Sequence, residues 1–191
     1  MAIHLDDALA VVAKLRGERI VIPTMASVPV WFNLSNQPLD FTYMPSAMGH
    51  GTGLGLGIAL AQPQHGVIVI NGDGSTLMNL GSLVTLAQNP APLYLIIVDN
   101  GMYEITGGQS VAGAGRTDFA GLAQAAGIAR VYSFADQDSW ESWAGEALSG
   151  PGPVVIVLQV EGRLGQKTPS IPMPMKDQIA RLRSALAPAN A

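Results

Sequence analysis

Asp73 and Asn100 are the two side chains of this sequence whose types and surroundings suit a hard cation. Asp73 follows the apolar run Val67-Ile68-Val69-Ile70 and sits within Gly72-Asp73-Gly74-Ser75. Asn100 follows Leu93-Tyr94-Leu95-Ile96-Ile97-Val98 and closes Asp99-Asn100. Two apolar runs of this length, joined by one helical stretch, read as neighbouring parallel strands. Their C-terminal ends then lie side by side, where open α/β sheets bind ligands. Each residue offers one side-chain oxygen there. Mg²⁺ suits such a place, because it takes few protein ligands and completes its shell with water and phosphate. Gly74 and Ser75 open the next helix, whose free N–H groups and dipole favour a phosphate. Taken singly, Asp73 reads first as a helix N-cap, and the Ser75 hydroxyl can cap a helix as well as meet a diphosphate.

The elements that must position these residues alternate. Leu5–Leu15 reads as a helix with Asp6 and Asp7 in its first turn, where acid suits the dipole. Residues 19–23 read as a strand, 28–38 as irregular with two prolines and Trp31, and 41–44 as a short strand before the Pro45-Ser46 turn. A helix over 51–62 carries four glycines in its first seven residues. Each glycine costs up to about 1 kcal/mol relative to Ala inside a helix, so their presence implies close approach of a ligand or another helix. Strand 67–70, a single helix 76–87 and strand 93–98 follow. Residues 101–116 form a glycine-rich loop, the place for a lid. Then come helix 119–126, strand 130–133, helix 138–148, strand 154–160, and a proline-containing tail from 161 around a helix 176–186. This alternation predicts a doubly wound α/β fold with a mostly parallel sheet and helices on both faces. It is read as one domain over 1–191.

Bulk properties narrow the function. Of the 191 residues, 48% are hydrophobic and only 13% charged, with net charge −4. So little solvated surface implies a buried oligomer interface. The absence of a basic run argues against a nucleic-acid partner. There are no cysteines, which removes disulfides, thiolate zinc sites and Cys-ligated clusters. Residues 1–7 lack a cationic stretch before an apolar one, so no signal peptide is expected, nor a membrane span, and a cytoplasmic location is the default.

The GDG triplet followed by 25 residues and then Asn resembles the cofactor motif of thiamine diphosphate enzymes. Met48-Gly49-His50 ahead of the glycine-rich helix is similar to the segment that holds the thiamine in its bent form. Asp99-Asn100-Gly101-Met102-Tyr103-Glu104-Ile105-Thr106-Gly107-Gly108-Gln109 looks most like the β subunits of sulfopyruvate and phosphonopyruvate decarboxylases. Val21-Ile22-Pro23-Thr24-Met25 and Thr117-Asp118-Phe119-Ala120 fit the same group. The resemblance covers roughly residues 5–160, one diphosphate-binding domain.

This resemblance implies thiamine diphosphate and Mg²⁺ as cofactors. The metal ligands would be Asp73, Asn100 and the backbone carbonyl of Met102. Gly72, Gly74 and Ser75 would meet the diphosphate, as would Ser27, although Ala26 stands where relatives often have Gly. Met48 would wedge between the cofactor rings, with Gly49 and Ile105 beside them, and the Ser46 carbonyl would take the 4′-amino group. His50 is a candidate for proton transfer or for binding a substrate anion, though lone histidines are more often structural. Glu104 is a candidate catalytic acid or else a solvated loop acid. Relatives of the pyruvate decarboxylase kind carry a catalytic Glu directly after the loop Ile, where this chain has Thr106, so their acid chemistry does not transfer. Arg163 and Lys167 are candidates for an anionic substrate group. The Glu that activates the cofactor lies in a pyrimidine domain, for which this chain has no room. The resemblance therefore implies a separate α subunit and a 2-oxo acid substrate. A carboligase subunit of the acetolactate synthase kind, or a non-catalytic cofactor-binding subunit, stays open at this point.

Overall fold

The structure, a computed structural model, describes residues 1–43, 48–165 and 173–187. Its main sheet has the strands β1 (Ile20–Pro23), β2 (Val67–Gly72), β3 (Leu93–Asp99), β6 (Arg130–Phe134) and β7 (Val154–Gln159), all parallel, in the order β1-β2-β3-β7-β6. A two-stranded antiparallel ribbon, β4 (Met102–Tyr103) with β5 (Gln109–Ser110), stands apart. Branched residues fill β2 and β3, and their burial on both faces explains the unbroken apolar runs.

The helices are α1 (Leu5–Leu15), α2 (Ser27–Leu34), α3 (Gly51–Ala61), α4 (Asp73–Met78), α5 (Ser82–Gln88), α6 (Phe119–Ala125), α7 (Gln137–Ala147) and α8 (Met175–Leu186). Crossovers between parallel strands are right-handed. Steps from β1 through β3 to β6 run one way across the sheet and β6 to β7 steps back, so the return helix must cover the opposite face. It does. Leu56, Leu83, Leu86, Phe119 and Ala123, from α3, α5 and α6, pack with Val67, Val69 and Leu95. Trp140 and Ala144 of α7 pack with Leu9 and Val12 of α1 against Ile68, Ile70 and Ile96. Adjacent residues of β2 thus feed two cores, as period-2 alternation requires. The α/β fold with helices on both faces is as expected.

Three expectations are corrected. Residues 28–38 are not wholly irregular, because α2 occupies 27–34 with Val30 and Trp31 buried. Pro29 lies in its first turn, where backbone N–H groups have no intrahelical partner and a proline removes no bond. The single helix 76–87 is two helices. Asn79 leaves helical geometry and its amide donates to the Gly49 carbonyl at 3.1 Å, which ends α4. The strand over 41–44 is reduced to isolated parallel bridges, Val21 with Asp40 and Thr24 with Tyr43; Met44 is outside the described residues.

The glycines of α3 divide by face. A Cβ at Gly55 would overlap Val69 Cγ2 and stand 3.2 Å from Leu93 Cδ1, whereas nothing lies within 4 Å of one at Gly53. Val69 is fully buried and β-branched, so it cannot swing away. Gly55→Ala should destabilise by about 1–3 kcal/mol through overpacking. Gly53→Ala should instead stabilise by up to about 1 kcal/mol from helix propensity. Denaturant unfolding of the two variants beside the parent checks the opposite signs.

Candidate functional site

Because the strands are parallel, the chain leaves β1, β2 and β3 at one end of the sheet. The register pairs Pro23 with Ile70 and Gly72 with Val98, which brings Thr24, Asp73, Asp99 and Asn100 together. A cleft of about 530 Å³, part of it open to solvent, lies there. Its wall includes Thr24 to Ser27, Met48, Asn71 to Ser75, Asn100 and Met102 to Thr106.

Asp73 is 3% exposed. Its Oδ1 accepts from the Gly74 N–H at 2.7 Å and its Oδ2 from the Gly101 N–H at 2.7 Å. The Asp99 carboxyl lies beside it. Burial pushes the Asp73 carboxyl up to about 6, against the pull of the two backbone donors and with a further push from Asp99. Burial raises the Asp99 carboxyl as well. Two adjacent carboxyls held out of water are a poor pair of anions unless a proton or a cation lies between them. The Asn100 side-chain oxygen accepts from the Met102 N–H at 3.1 Å. Asp73, Asn100 and Met102 all border the cleft, so the expected ligand set is together. Oxygen donors of this kind fit a hard cation. A Cβ at Gly72 would meet nothing within 4 Å, so this wall is open where a diphosphate would lie.

The remaining expected residues separate into groups. Ser27, Met48, Gly74, Ser75 and Ile105 border the cleft. The Ser27 hydroxyl is already engaged, accepting from the Thr24 N–H and donating to the Thr24 carbonyl at 2.7 Å. The Ser75 hydroxyl accepts from the Gly49 N–H at 2.8 Å, so it fixes the turn carrying Met48. Gly49 is required there: its φ is +86°, and a Cβ would stand 2.8 Å from that of Asn79. His50 is not brought into the cleft. It is exposed at the cap of α3, where its carbonyl accepts from the Leu54 N–H. Ser46 and Lys167 are outside the described residues.

Glu104 borders the cleft but is no solvated loop acid, since it is 4% exposed. Its Oε1 accepts from the Arg163 N–H at 2.7 Å, and its Oε2 lies 3.6 Å from the Arg163 guanidinium. Arg163 also bonds Asp6 at 3.1 Å. With two carboxylates on it, Arg163 is engaged by the protein itself. The expected glycine-rich lid over 101–116 is partly built, from β4, a 3₁₀ turn over Glu104–Thr106 and β5.

Several residues of the site were not foreseen. Tyr103 lies over Gly74, where a Cβ would overlap its ring. Beneath the cleft runs a buried hydrogen-bond chain. Thr24 Oγ1 donates to the Ile70 carbonyl and lies 3.2 Å from Asn71 Oδ1, Asn71 Nδ2 donates to Thr76 Oγ1, and Thr76 Oγ1 donates to the Gly72 carbonyl. The sequence signal was Asn71, a polar residue ending an apolar run. Met25 borders the cleft with φ +49°, the single positive-φ non-glycine among the described residues, and such strain concentrates at functional sites.

A family model described as "Thiamine pyrophosphate enzyme, C-terminal TPP binding domain" matches residues 23–158. Phosphonopyruvate decarboxylase of Streptomyces viridochromogenes is 35% identical over 146 residues, 76% of this chain and 36% of that protein. Sulfopyruvate decarboxylase subunit beta of Methanothermobacter thermautotrophicus is 40% identical over 131 residues, 68% of this chain and 66% of that protein. The chain thus spans about a third of the first relative. Among solved structures, a thiamine diphosphate-dependent 4-hydroxybenzoylformate decarboxylase of Rhodococcus jostii RHA1 superposes with TM-score 0.71 at 23% identity, covering 85% of this chain and 33% of that one. It supports the fold.

The raised Asp73 carboxyl has a pH signature. The folded state binds its proton more tightly than the unfolded chain, so the group's contribution is intact below about pH 4 and declines as pH rises through about 6. A rise from 3.8 to about 6 corresponds to about 3 kcal/mol. The stability of the metal-free chain relative to Asp73→Asn should therefore fall by up to about 3 kcal/mol between pH 4 and pH 7. Urea unfolding of both chains across that range, with chelator present, measures it.

Proposed function

Since this chain belongs to the thiamine pyrophosphate enzyme family, through its match to the C-terminal TPP binding domain, we propose that it is the diphosphate-binding subunit of a Mg²⁺- and thiamine diphosphate-dependent 2-oxo acid decarboxylase. The observation that carries this reading is the meeting of Asp73, Asn100 and the open Gly72 at one cleft. Asp73 and Asn100 would hold the cation by side-chain oxygens and Met102 by its carbonyl. Ser75 would act indirectly, by fixing Gly49 and hence Met48, the apolar wedge. When bound, the cofactor supplies a carbon nucleophile and an electron sink for a 2-oxo acid. The chain's own task is to orient it and keep water away, with Leu5, Met48, Val98 and Ile105 on the wall.

The names of the relatives favour an oxo acid bearing a sulfonate or phosphonate. Such a substrate brings a second negative charge, and buried anions need charged donors. Arg163 is engaged by Glu104 and Asp6, and His50 is outside the cleft, so we assign that recognition to a separate pyrimidine-domain subunit. That some relatives are named as a beta subunit supports such a partner.

Two outcomes follow. Asp73→Ala should lose Mg²⁺-dependent retention of thiamine diphosphate, read by calorimetry; binding equal to the parent would remove the metal assignment. The purified chain should release no carbon dioxide from a panel of 2-oxo acids, including sulfonate- and phosphonate-bearing ones, until a pyrimidine-domain subunit is added. Turnover by the chain alone, with partner excluded by mass spectrometry, would overturn the divided site.

A further inference from the structure

Two stretches of the tail lie beyond residues 23–158, the part that matches the family; one touches the wall of the cleft and the other bears on it through Thr42 and Tyr43. The first follows β7. A Cβ at Gly162 would overlap Met102 Cε and stand 3.2 Å from the Asn100 carbonyl. The Arg163 N–H donates to Glu104, and Leu164 packs so closely on Gly108 that a Cβ there would lie 2.6 Å from it. Residues 162–164 therefore lie along the loop that carries Asn100 and Met102. Arg163 ties this strap to α1 as well, through Asp6.

The second stretch is α8. Gln178, 2% exposed, accepts the Thr42 N–H on its Oε1 at 2.8 Å. Its Nε2 donates to the Met173 carbonyl at 2.9 Å, which fixes the amide's orientation. Arg181 donates to the Asp40 carbonyl at 3.0 Å and to Asn36. Next to Thr42, the Tyr43 N–H donates to the Pro23 carbonyl and Tyr43 bridges to Thr24, which stands on the cleft wall.

We propose that residues 161–165 and α8 form a clasp on the cleft, in which Glu104 positions the Asn100–Met102 loop through Arg163 and Gln178 positions the Thr24 wall through Thr42 and Tyr43. Glu104 is then a positioning residue, and its carboxylate is turned to the strap rather than to chemistry. The proposal rests on the cofactor reading for its purpose, though not for its geometry. An unpartnered carboxylate or N–H in these buried places is costly, so removing either latch frees the wall it holds.

The test uses the full chain and two readouts, amide hydrogen exchange and calorimetric affinity for thiamine diphosphate with Mg²⁺. In Glu104→Ala, exchange at Gly101 and Met102 should quicken at least tenfold and cofactor affinity should fall at least tenfold, with the amides of β7 unchanged. Glu104→Gln keeps an oxygen for the Arg163 N–H and should stay within about threefold of the parent on both readouts, since the hydrogen bond rather than the 3.6 Å ion pair holds the strap. Gln178→Ala should quicken exchange at Thr42 and weaken cofactor binding. Unchanged exchange at these amides, an equal rise throughout β7, or loss in Glu104→Gln as severe as in Glu104→Ala would overturn the clasp. If the parent chain itself binds no cofactor, the functional reading fails, and the exchange results alone decide the clasp.

Discussion

The carboxylate of Asp73 sits out of water with one backbone N–H on each oxygen and a second carboxyl, that of Asp99, against it. Most of the cleft is arranged around that group. One donor comes from Gly74, at the start of α4; the other comes from Gly101, so the chain must turn directly after Asn100. The turn in turn presents the Asn100 amide and Met102 to the same space. Desolvation makes the site hungry for positive charge, and the two backbone donors keep the carboxylate aimed while it waits for one. A surface aspartate with the same neighbours would be satisfied by water and would specify nothing.

The second layer of the site is neutral. The Thr24–Asn71–Thr76 chain ties the end of β1 to the start of α4 with no charged member, and the Ser75 hydroxyl ties α4 to Gly49. Neutral hydrogen bonds hold the walls without altering the field at Asp73. The acidic and basic groups nearby, Asp6, Glu104 and Arg163, pair among themselves at the rim.

Strand identity was legible in the sequence because parallel strands buried on both faces leave continuous branched runs, as in 67–70 and 93–98. The meeting of Asp73 and Asn100 at one cleft was legible because each follows such a run at the same end of the sheet. What the sequence concealed depends on contacts between distant residues. The break of α4 from α5 is made by an amide of Asn79 reaching Gly49, thirty positions away. The burial of Glu104 depends on residue 163, and nothing local distinguishes it from an exposed loop acid. His50 sits two positions from Met48 in sequence, yet at the cap of α3 it is exposed and does not border the cleft. Pro29 read as a breaker because its place in the first turn of α2 is invisible until the helix start is known.

The bonds from Gln178 to Thr42 and from Arg163 to Asp6 span 136 and 157 positions of the chain. During vectorial synthesis the sheet edge β1-β2-β3, with Asp73 and Asn100 at its mouth, emerges well before residues 163 and 178. For that interval the cleft has its charges but not its outer fastenings. Contacts of such separation are also among the slowest to close, because the entropy of ordering the intervening chain comes first. The order of emergence therefore makes the walls carrying Asp73 and Asn100 early and their outer contacts late, so the newly made cleft stays pliant until residues 163 and 178 arrive.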